Sequence, residues 1–229
     1  MKKLDTTKIK QVTLKESEYF KESINKKQIV LHHTAGNSSG VSTINNWNTD
    51  TRGRIATCVC ISGKGQSTNT FDGEIVQCFS SKSWAYHLGL KQDMFKARGI
   101  KYQSLDKISI GIEICNWGPL EKRGDKFYNY VDREVPVDQV CTLEKPYKGY
   151  LHYHAYTDAQ IESTRQLLVY WSETYGIDLT YREEDMWAVS DRALKGENGI
   201  FTHNSYRKDK SDISPQPKMI EMLTALKNA

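Results

Sequence analysis

The stretch ISIGIEI at residues 108–114 alternates isoleucine with small or acidic residues, and it decides the class of fold. Side chains of a β-strand point to opposite faces in turn, so the isoleucines share one face while Ser109, Gly111 and Glu113 share the other. The pattern therefore predicts a strand whose isoleucine face is buried. Glu113 is the single charged residue of this strand, which makes it a candidate for a chemical role.

Two more apolar runs predict strands of the same core. QIVLHH at residues 28–33 is rich in β-branched residues and ends in the loop TAGNSSG, and IATCVCI at residues 55–61 ends at a GKG turn. Residues 156–176 predict a long helix, with a cap at Thr157 or Asp158 and a stop at Gly176. A second amphipathic helix is expected near Pro217. Strands mixed with helices predict an α/β or α+β fold.

The composition is that of a folded protein. Of its 229 residues, 38% are hydrophobic and 10% are aromatic, which supplies a core and excludes wholesale disorder. The length allows one or two domains. The net charge of +4 suits a soluble protein near polyanionic surfaces but falls short of a nucleic-acid-binding arm. We therefore expect no nucleic-acid partner.

The first residues of the sequence and the number of cysteines indicate where the protein is made. No apolar stretch follows the basic start MKKLDTTKIK, so we expect no signal peptide, and no run is long enough to insert into a membrane. The five cysteines are odd in number and lack CxxC spacing, so a disulfide framework is not expected. We predict synthesis in a reducing cytoplasm. Residues 1–25 are interpreted as an N-terminal extension or edge element, and residues 119–149 as an insertion rich in charge and tyrosine.

Histidines supply the candidates for metal ligands. His32 and His33 end a buried strand, but alternation sends their side chains to opposite faces, so one of the two can enter a given pocket. The loop GIFTHNSYRKDKSDISP places His203 nine residues and Lys210 two residues before Asp212. Two histidines and one carboxylate can form the three-ligand, open zinc site of a hydrolase. A solvated charge cluster is the alternative.

Four strings together resemble a known family. IVLHHTAG, AYHLG, SIGIEI and the terminal H-x6-K-x-D-x-x-P are similar to motifs of the zinc-dependent N-acetylmuramoyl-L-alanine amidases of the type-2 class, which share their fold with peptidoglycan-recognition proteins. The resemblance runs from about Gln28 to the C-terminus. It implies one α/β domain, residues 26–229, with a central mixed β-sheet flanked by helices.

The resemblance also implies roles for individual residues. His32, His203 and Asp212 correspond to ligands of a Zn²⁺ cofactor. Glu113 corresponds to the general base of some members, and Lys210 to the lysine that stabilises the oxyanion. Thr57 or a neighbour stands where the phage-lysozyme branch has a catalytic tyrosine, which places more weight on Glu113.

Elementary chemistry is consistent with these roles. An amide is a poor electrophile, and zinc both polarises its carbonyl and lowers the pKa of water. Burial of Glu113 would raise the pKa of its carboxyl towards the range of a general base. The alternative is a structural ion pair between Glu113 and a lysine or arginine. For Lys210 the alternative is a solvated side chain, with Lys208 as a substitute.

Other residues are candidates for contacts with substrate. His87 lies in the element SWAYHLG, and Trp84 or Tyr86 beside it can stack on sugar or peptide, although core packing explains each aromatic ring equally well. Thr34 is a further substrate-binding candidate. His152 and His154 would share one strand face, where they could bind a metal or flank the long helix.

The resemblance implies hydrolysis of the bond between N-acetylmuramic acid and L-alanine in peptidoglycan. We expect a monomeric phage endolysin that is made in the cytoplasm and acts on the cell wall after release. The alternatives are a cytoplasmic amidase that recycles anhydro-muropeptides and a non-catalytic peptidoglycan-binding protein.

Overall fold

Two β-sheets organise the protein. The computed structural model describes residues 3–36, 39–65 and 71–226. The strands within these residues are β1 (Lys10–Gln11), β2 (Gln28–His33), β3 (Val59–Ile61), β4 (Ile75–Gln77), β5 (Ser109–Ile114), β6 (Pro119–Arg123), β7 (Lys126–Tyr128), β8 (Glu134–Val135), β9 (Val140–Tyr147), β10 (Tyr150–His154) and β11 (Gly199–Thr202). A six-stranded central sheet has the order β1-β4-β3-β5-β2-β11, and a five-stranded sheet has the order β8-β7-β6-β10-β9.

The central sheet is mixed, as predicted. β3 and β4 are antiparallel, and the other neighbouring strands are parallel. β5 lies between β3 and β2, so the stretch that suggested the fold forms the middle of the sheet. The observed strand β5 is one residue shorter than the predicted strand, because Ile108 ends a helical turn. The strand predicted over residues 55–61 is confined to Val59–Ile61, and Ile55 makes an isolated bridge to Tyr86.

Helices cover both faces of the central sheet. They are α1 (Gly40–Trp47), α2 (Gln92–Lys96), α3 (Leu105–Ile108), α4 (Asp158–Tyr175), α5 (Glu183–Met186), α6 (Asp191–Leu194) and α7 (Pro217–Ala225). Leu31 of β2 belongs to the core cluster that includes α4 and α7, whereas Val30 belongs to the cluster with α2, α3 and α6. This arrangement confirms the predicted α/β fold.

The long helix forms as its sequence predicts. Thr157 caps α4, and its side chain forms a capping box with Gln160. Gly176 ends the helix in the left-handed conformation that a residue without Cβ adopts at little cost. Within the described part of the chain, no helix is long and apolar enough to cross a membrane.

The strands of the second sheet lie between β5 and α4 along the chain. Its strands β6 to β10 span the predicted insertion and continue through His154. A small apolar cluster of Leu120, Phe127 and Val135 holds it together. Asn116 joins the sheet to the end of β5, because its side-chain amide donates to the His154 carbonyl at 3.0 Å. The sheet is therefore fixed beside the carboxyl end of β5.

The first 25 residues pack against the central sheet where they are described. β1 adds an edge strand beside β4, and Leu14 is buried in the main core. Phe20 stacks on Trp84 with ring centroids 3.8 Å apart. The division of the chain into an extension, a domain and an insertion stays a prediction.

Gly111 lets two other elements approach the middle of β5. A Cβ atom at this position would lie 2.6 Å from Cγ2 of Thr57 and 3.2 Å from Nδ1 of His87. Real side chains do not tolerate the shorter of these separations without movement of a neighbour. Because Gly111 has no side chain, His87 can pack closely against the sheet.

We predict that Gly111→Ala lowers the free energy of unfolding by about 1–3 kcal/mol, because overpacking displaces Thr57 or the backbone of β5. Urea titration measures the change. Thr57→Ser removes Cγ2, so the double variant should regain part of the loss. An unchanged unfolding midpoint for Gly111→Ala would contradict this packing.

Candidate metal centre and active site

Parallel strands bring two predicted ligands to one edge of the sheet. β2 and β11 are neighbours, with Leu31 opposite Thr202. His32 lies near the carboxyl end of β2, and His203 follows β11 directly in a 3-10 turn. Asp212 is held nearby, because the side-chain amide of Asn204 donates to its backbone carbonyl at 2.8 Å. The predicted triad of His32, His203 and Asp212 is assembled.

The three side chains converge through one atom each. Nδ1 of His32 lies 3.1 Å from Nδ1 of His203 and 3.2 Å from Oδ2 of Asp212. Nδ1 of His203 lies 3.1 Å from the same carboxylate oxygen. The two imidazoles are buried, and the Asp212 side chain is 13% exposed. The three atoms form a nearly equilateral triangle.

The contact of Nε2, the ring nitrogen that points away from the triangle, identifies the tautomer of His203. Nε2 lies 3.0 Å from the carbonyl oxygen of Leu88. A carbonyl oxygen accepts but cannot donate, so Nε2 carries the proton and donates to it. In the neutral imidazole, Nδ1 then presents a lone pair to the centre of the triangle. His203 is therefore an electron-pair donor there.

A chain of hydrogen bonds assigns the same form to His32. The hydroxyl of Ser109 donates to the Leu105 carbonyl at 2.9 Å, so its oxygen accepts from Nε2 of His87 at 2.8 Å. Nδ1 of His87 then accepts from Nε2 of His32 at 2.9 Å. Nδ1 of His32 is left with a lone pair that points at the triangle.

Charge is consistent with three electron-pair donors. Burial lowers the pKa of His32 to about 4, although Asp212 opposes this shift, so the imidazole is neutral at pH 7. Burial opposes ionisation of Asp212, but hydrogen bonds with His203 and His32 outweigh it and hold the pKa of the carboxyl well below its usual value. A neutral His32 imidazole therefore faces the Asp212 carboxylate.

This donor set fits a metal ion. Bonds of about 2.0–2.1 Å to nitrogen and oxygen at tetrahedral angles separate ligand atoms by about 3.3–3.4 Å. The measured separations of 3.1–3.2 Å are close to that value. The three residues are the one group in the described ranges that could hold a metal ion in this way. They leave a fourth position of a tetrahedral site open.

Glu113 lies beside this cluster. It is opposite His32 in the parallel register of β5 and β2, so the two side chains share one face of the sheet. Burial raises the pKa of its carboxyl well above the ordinary value, Asp212 adds to the rise, and Lys210 opposes it. The alternative of a structural ion pair is not observed, since Glu113 has no salt bridge with any described residue. The Glu113 carboxyl is therefore not engaged by a basic side chain of the described residues.

A cavity of about 490 Å³ opens over the cluster. Its lining includes the candidate residues Thr34, Tyr86, His87, Glu113 and Lys210 together with the triad. Lys208, the substitute considered for Lys210, is exposed and does not line it. Thr57 lines the cavity, but its hydroxyl donates to the Val59 carbonyl at 3.0 Å. The hydroxyl of Thr57 is therefore engaged within the protein, and the proton-transfer role of Glu113 stays a prediction.

The aromatic candidates separate into one cavity residue and one core residue. Tyr86 is 46% exposed and lines the cavity. Trp84 is 4% exposed and lies beneath Phe20, and its indole N–H donates to Glu22 at 3.2 Å. The prediction that Trp84 stacks on substrate is not supported, because both its ring face and its N–H are engaged within the protein. Trp84 and Tyr86 are only two residues apart, so the sequence pattern could not show which of the two rings is buried.

The remaining histidines lie outside the triad, although His33 lines the cavity over it together with His32, contrary to the expectation that one of the two would enter a given pocket. His33 points to the opposite face of β2, where Nδ1 lies 3.1 Å from the hydroxyl of Tyr156. His152 contacts Thr142, and His154 lies within hydrogen-bond distance of Gln139, both within the second sheet. Neither belongs to a group of described residues that could hold a metal ion.

Sequence reasoning missed the role of Ser109. This serine ends the hydrogen-bond chain that holds His87 and, through it, His32. The signal was present, since Ser109 lies on the same strand face as Glu113. The substrate-binding role of His87 stays a prediction, and the structure adds that its ring supports His32 from behind.

Comparison with known proteins identifies the family. Residues 23–217 match the family described as N-acetylmuramoyl-L-alanine amidase. The chain belongs to this family. It is an enzyme that acts as an amidase on peptidoglycan. No curated protein sequence matches it.

Solved structures of amidases share the fold. The hydrolase AmiA of Staphylococcus aureus, in complex with its ligand, is 12% identical with a TM-score of 0.52, and the match covers 99% of this chain and 84% of that chain. An AmpD derivative is 15% identical with a TM-score of 0.50, covering 99% of each chain. The amidase LysC of Clostridium intestinale URNW is 14% identical with a TM-score of 0.49, covering 97% of this chain and 98% of that chain. At such identities the first two matches show the fold alone.

We predict that His203→Ala weakens zinc binding by more than about 100-fold, because it removes a ligand rather than an outer partner of one. Competition with a chromogenic chelator measures the affinity. His152→Ala removes a histidine of the second sheet and should bind zinc as the wild type does. Equal losses in the two variants would contradict the assignment of the cluster.

We also predict that Ser109→Ala weakens zinc binding by about 10-fold to 100-fold, because His87 then loses the acceptor that fixes its ring and the tautomer of His32. The same chelator competition measures this loss. Ser81→Ala is the matched control, since Ser81 makes its hydrogen bond to Tyr175, remote from the cluster. A loss equal to that of the control would show that the hydrogen-bond chain does not support the metal site.

Proposed function

We propose that the protein is a zinc-dependent hydrolase that cleaves the amide bond between the lactyl group of N-acetylmuramic acid and L-alanine in peptidoglycan. The observation that carries this proposal is the triangle of His32 Nδ1, His203 Nδ1 and Asp212 Oδ2, three electron-pair donors with an unpaired carboxylate beside them. A protein that merely binds peptidoglycan has no need for this arrangement.

The three ligands would leave a bound zinc ion with a net charge of +1. When bound, zinc polarises the amide carbonyl and lowers the pKa of water towards about 7. Glu113 then takes the proton of the attacking water and returns it to the nitrogen of the leaving L-alanine. Its position next to His32 in the register, and its freedom from ion pairs, support this double role.

Lys210 supports the reaction through charge. It lines the same cavity as Glu113 and the triad, and it has no ion pair with a described carboxylate. An ammonium group there stabilises the negative charge that develops on the carbonyl oxygen in the transition state. The loop that holds Asp212 also holds Lys210, so one segment supplies a ligand and the cation.

We propose further that the enzyme acts as a phage endolysin, made in the cytoplasm and acting on the cell wall after release, as a monomer. The net charge of +4 favours approach to an anionic wall. All five cysteines are free, and four of them are buried, as suits synthesis under reducing conditions.

We predict that Glu113→Gln retains one zinc ion per chain and lowers kcat by at least about 100-fold, because the amide cannot accept the proton of water. Elemental analysis gives the metal content, and chromatography of muropeptides gives the rate. His32→Ala, in contrast, should lose both zinc and activity. Full activity of Glu113→Gln would remove the general base from this proposal.

Digestion of intact sacculi tests the biological role. An endolysin should release peptides from sacculi at a rate comparable with its rate on soluble fragments. A recycling amidase should cleave soluble anhydro-muropeptides and leave sacculi nearly unchanged. If the zinc-loaded protein releases no peptide from either substrate, the proposed reaction fails.

A further inference from the structure

A groove leads from the metal cluster to the second sheet. The cavity over the cluster shares Thr34, Ala35, Trp47 and Arg52 with a neighbouring cavity of about 610 Å³. That cavity in turn shares Gly36, Trp117 and Arg133 with a third cavity of about 710 Å³. We call this connected series the extended groove.

The second sheet builds one wall of the extended groove. Tyr130 and Val131 line it, although their side chains are 70% and 47% exposed. Trp117 lies beside Tyr130, with ring centroids 6.3 Å apart. Exposed apolar groups along a cleft mark a surface for binding.

The turn that carries these residues is held in place. The side-chain oxygen of Asn129 accepts from the backbone N–H groups of Val131 and Arg133, at 3.1 and 2.9 Å. Its amide nitrogen Nδ2 is buried without a partner among the described residues. Asn129 also lines the third cavity. The wall is therefore preorganised, and it leaves a donor unsatisfied.

Arg133 supplies charge to this wall. Its neighbours in the turn are already paired, Asp132 with Arg123 at 2.8 Å and Glu134 with Lys126 at 2.7 Å. Arg52, which lines the middle cavity together with Arg133, is paired with Asp50 at 2.5 Å. Arg133 has no carboxylate partner among the residues that the structure describes. Its guanidinium is thus available for an anionic ligand.

We propose that the extended groove binds the peptide part of the substrate and that Arg133 pairs with a free carboxylate of this peptide. The inference rests on the proposed function. The lactyl carboxyl of N-acetylmuramic acid is consumed in the amide bond to L-alanine, so the sugar side of the substrate carries no carboxylate there. Free carboxylates lie on the peptide, and a planar guanidinium matches them in a bidentate manner. Trp117 and Tyr130, which line the same cavity as Arg133, would contact this peptide.

Two substrates that differ in charge test this subsite. One is an N-acetylmuramoyl peptide with free carboxylates, and the other is the same compound with every carboxyl amidated. The wild type should show a KM about 2-fold to 5-fold lower for the free acid, with similar kcat, because Arg133 is exposed and its ion pair is screened by water. Arg133→Gln should raise KM for the free acid to the value for the amide, and Arg133→Lys should recover part of the difference.

Lys122→Gln is the matched control. It removes one positive charge from the same sheet, and Lys122 lines none of the three cavities. It should keep the preference of the wild type, and zinc content should be equal in all variants. An Arg133→Gln variant that also keeps the preference overturns the inference and leaves the amidase function intact.

Binding separates this inference from the proposed reaction. Calorimetry with both compounds on Glu113→Gln, and on the same variant with Arg133→Gln, measures the subsite without turnover. Tighter binding of the free acid that depends on Arg133 supports the subsite, even if the wild type cleaves neither compound. Equal binding of the two compounds overturns it.

Discussion

Three electron-pair donors meet within 3.2 Å of one another at the carboxyl ends of β2 and β11. A single proton can bridge two such atoms but cannot satisfy three. The proton of each imidazole is already used on its outer nitrogen, by the Leu88 carbonyl for His203 and by His87 for His32. A cation bound at the centre would remove the mutual repulsion of the lone pairs, and the three residues could hold one.

The fold supplies the convergence through register. Parallel pairing of β11, β2 and β5 places His203, His32 and Glu113 at one edge, because carboxyl ends of parallel strands lie together. Gly111 provides the space in which His87 reaches the back of His32. The positions of the proposed ligands His32 and His203 and of the proposed base Glu113 therefore depend on three neighbouring strands of one sheet.

Much of this site could be predicted from short patterns. Alternation along ISIGIEI placed Glu113 on the face away from the isoleucines, and alternation at the end of β2 separated His32 from His33. Thr157 and Gly176 predicted the first and last turns of α4, and they form its two caps. These predictions succeeded because each depends on local geometry, and the resemblance to a family supplied the long-range pairing with His203 and Asp212.

Other features depend on contacts that no local pattern contains. The chain from Ser109 through His87 to His32 joins three separate elements. Trp84 is buried because Phe20, from the first 25 residues, stacks on it. The strands of the second sheet carry many charged side chains on their exposed faces, so their sequence did not show a strand pattern. Their contribution to the extended groove could be seen only in the structure.

Anomalous diffraction from crystals of the zinc-loaded protein, at energies on both sides of the zinc edge, tests the central claim most directly. We expect one zinc peak, with Nδ1 of His32, Nδ1 of His203 and a carboxylate oxygen of Asp212 at about 2.0–2.1 Å. A peak elsewhere, or coordination through Nε2 of either histidine, would contradict the tautomers and the metal site assigned to this protein.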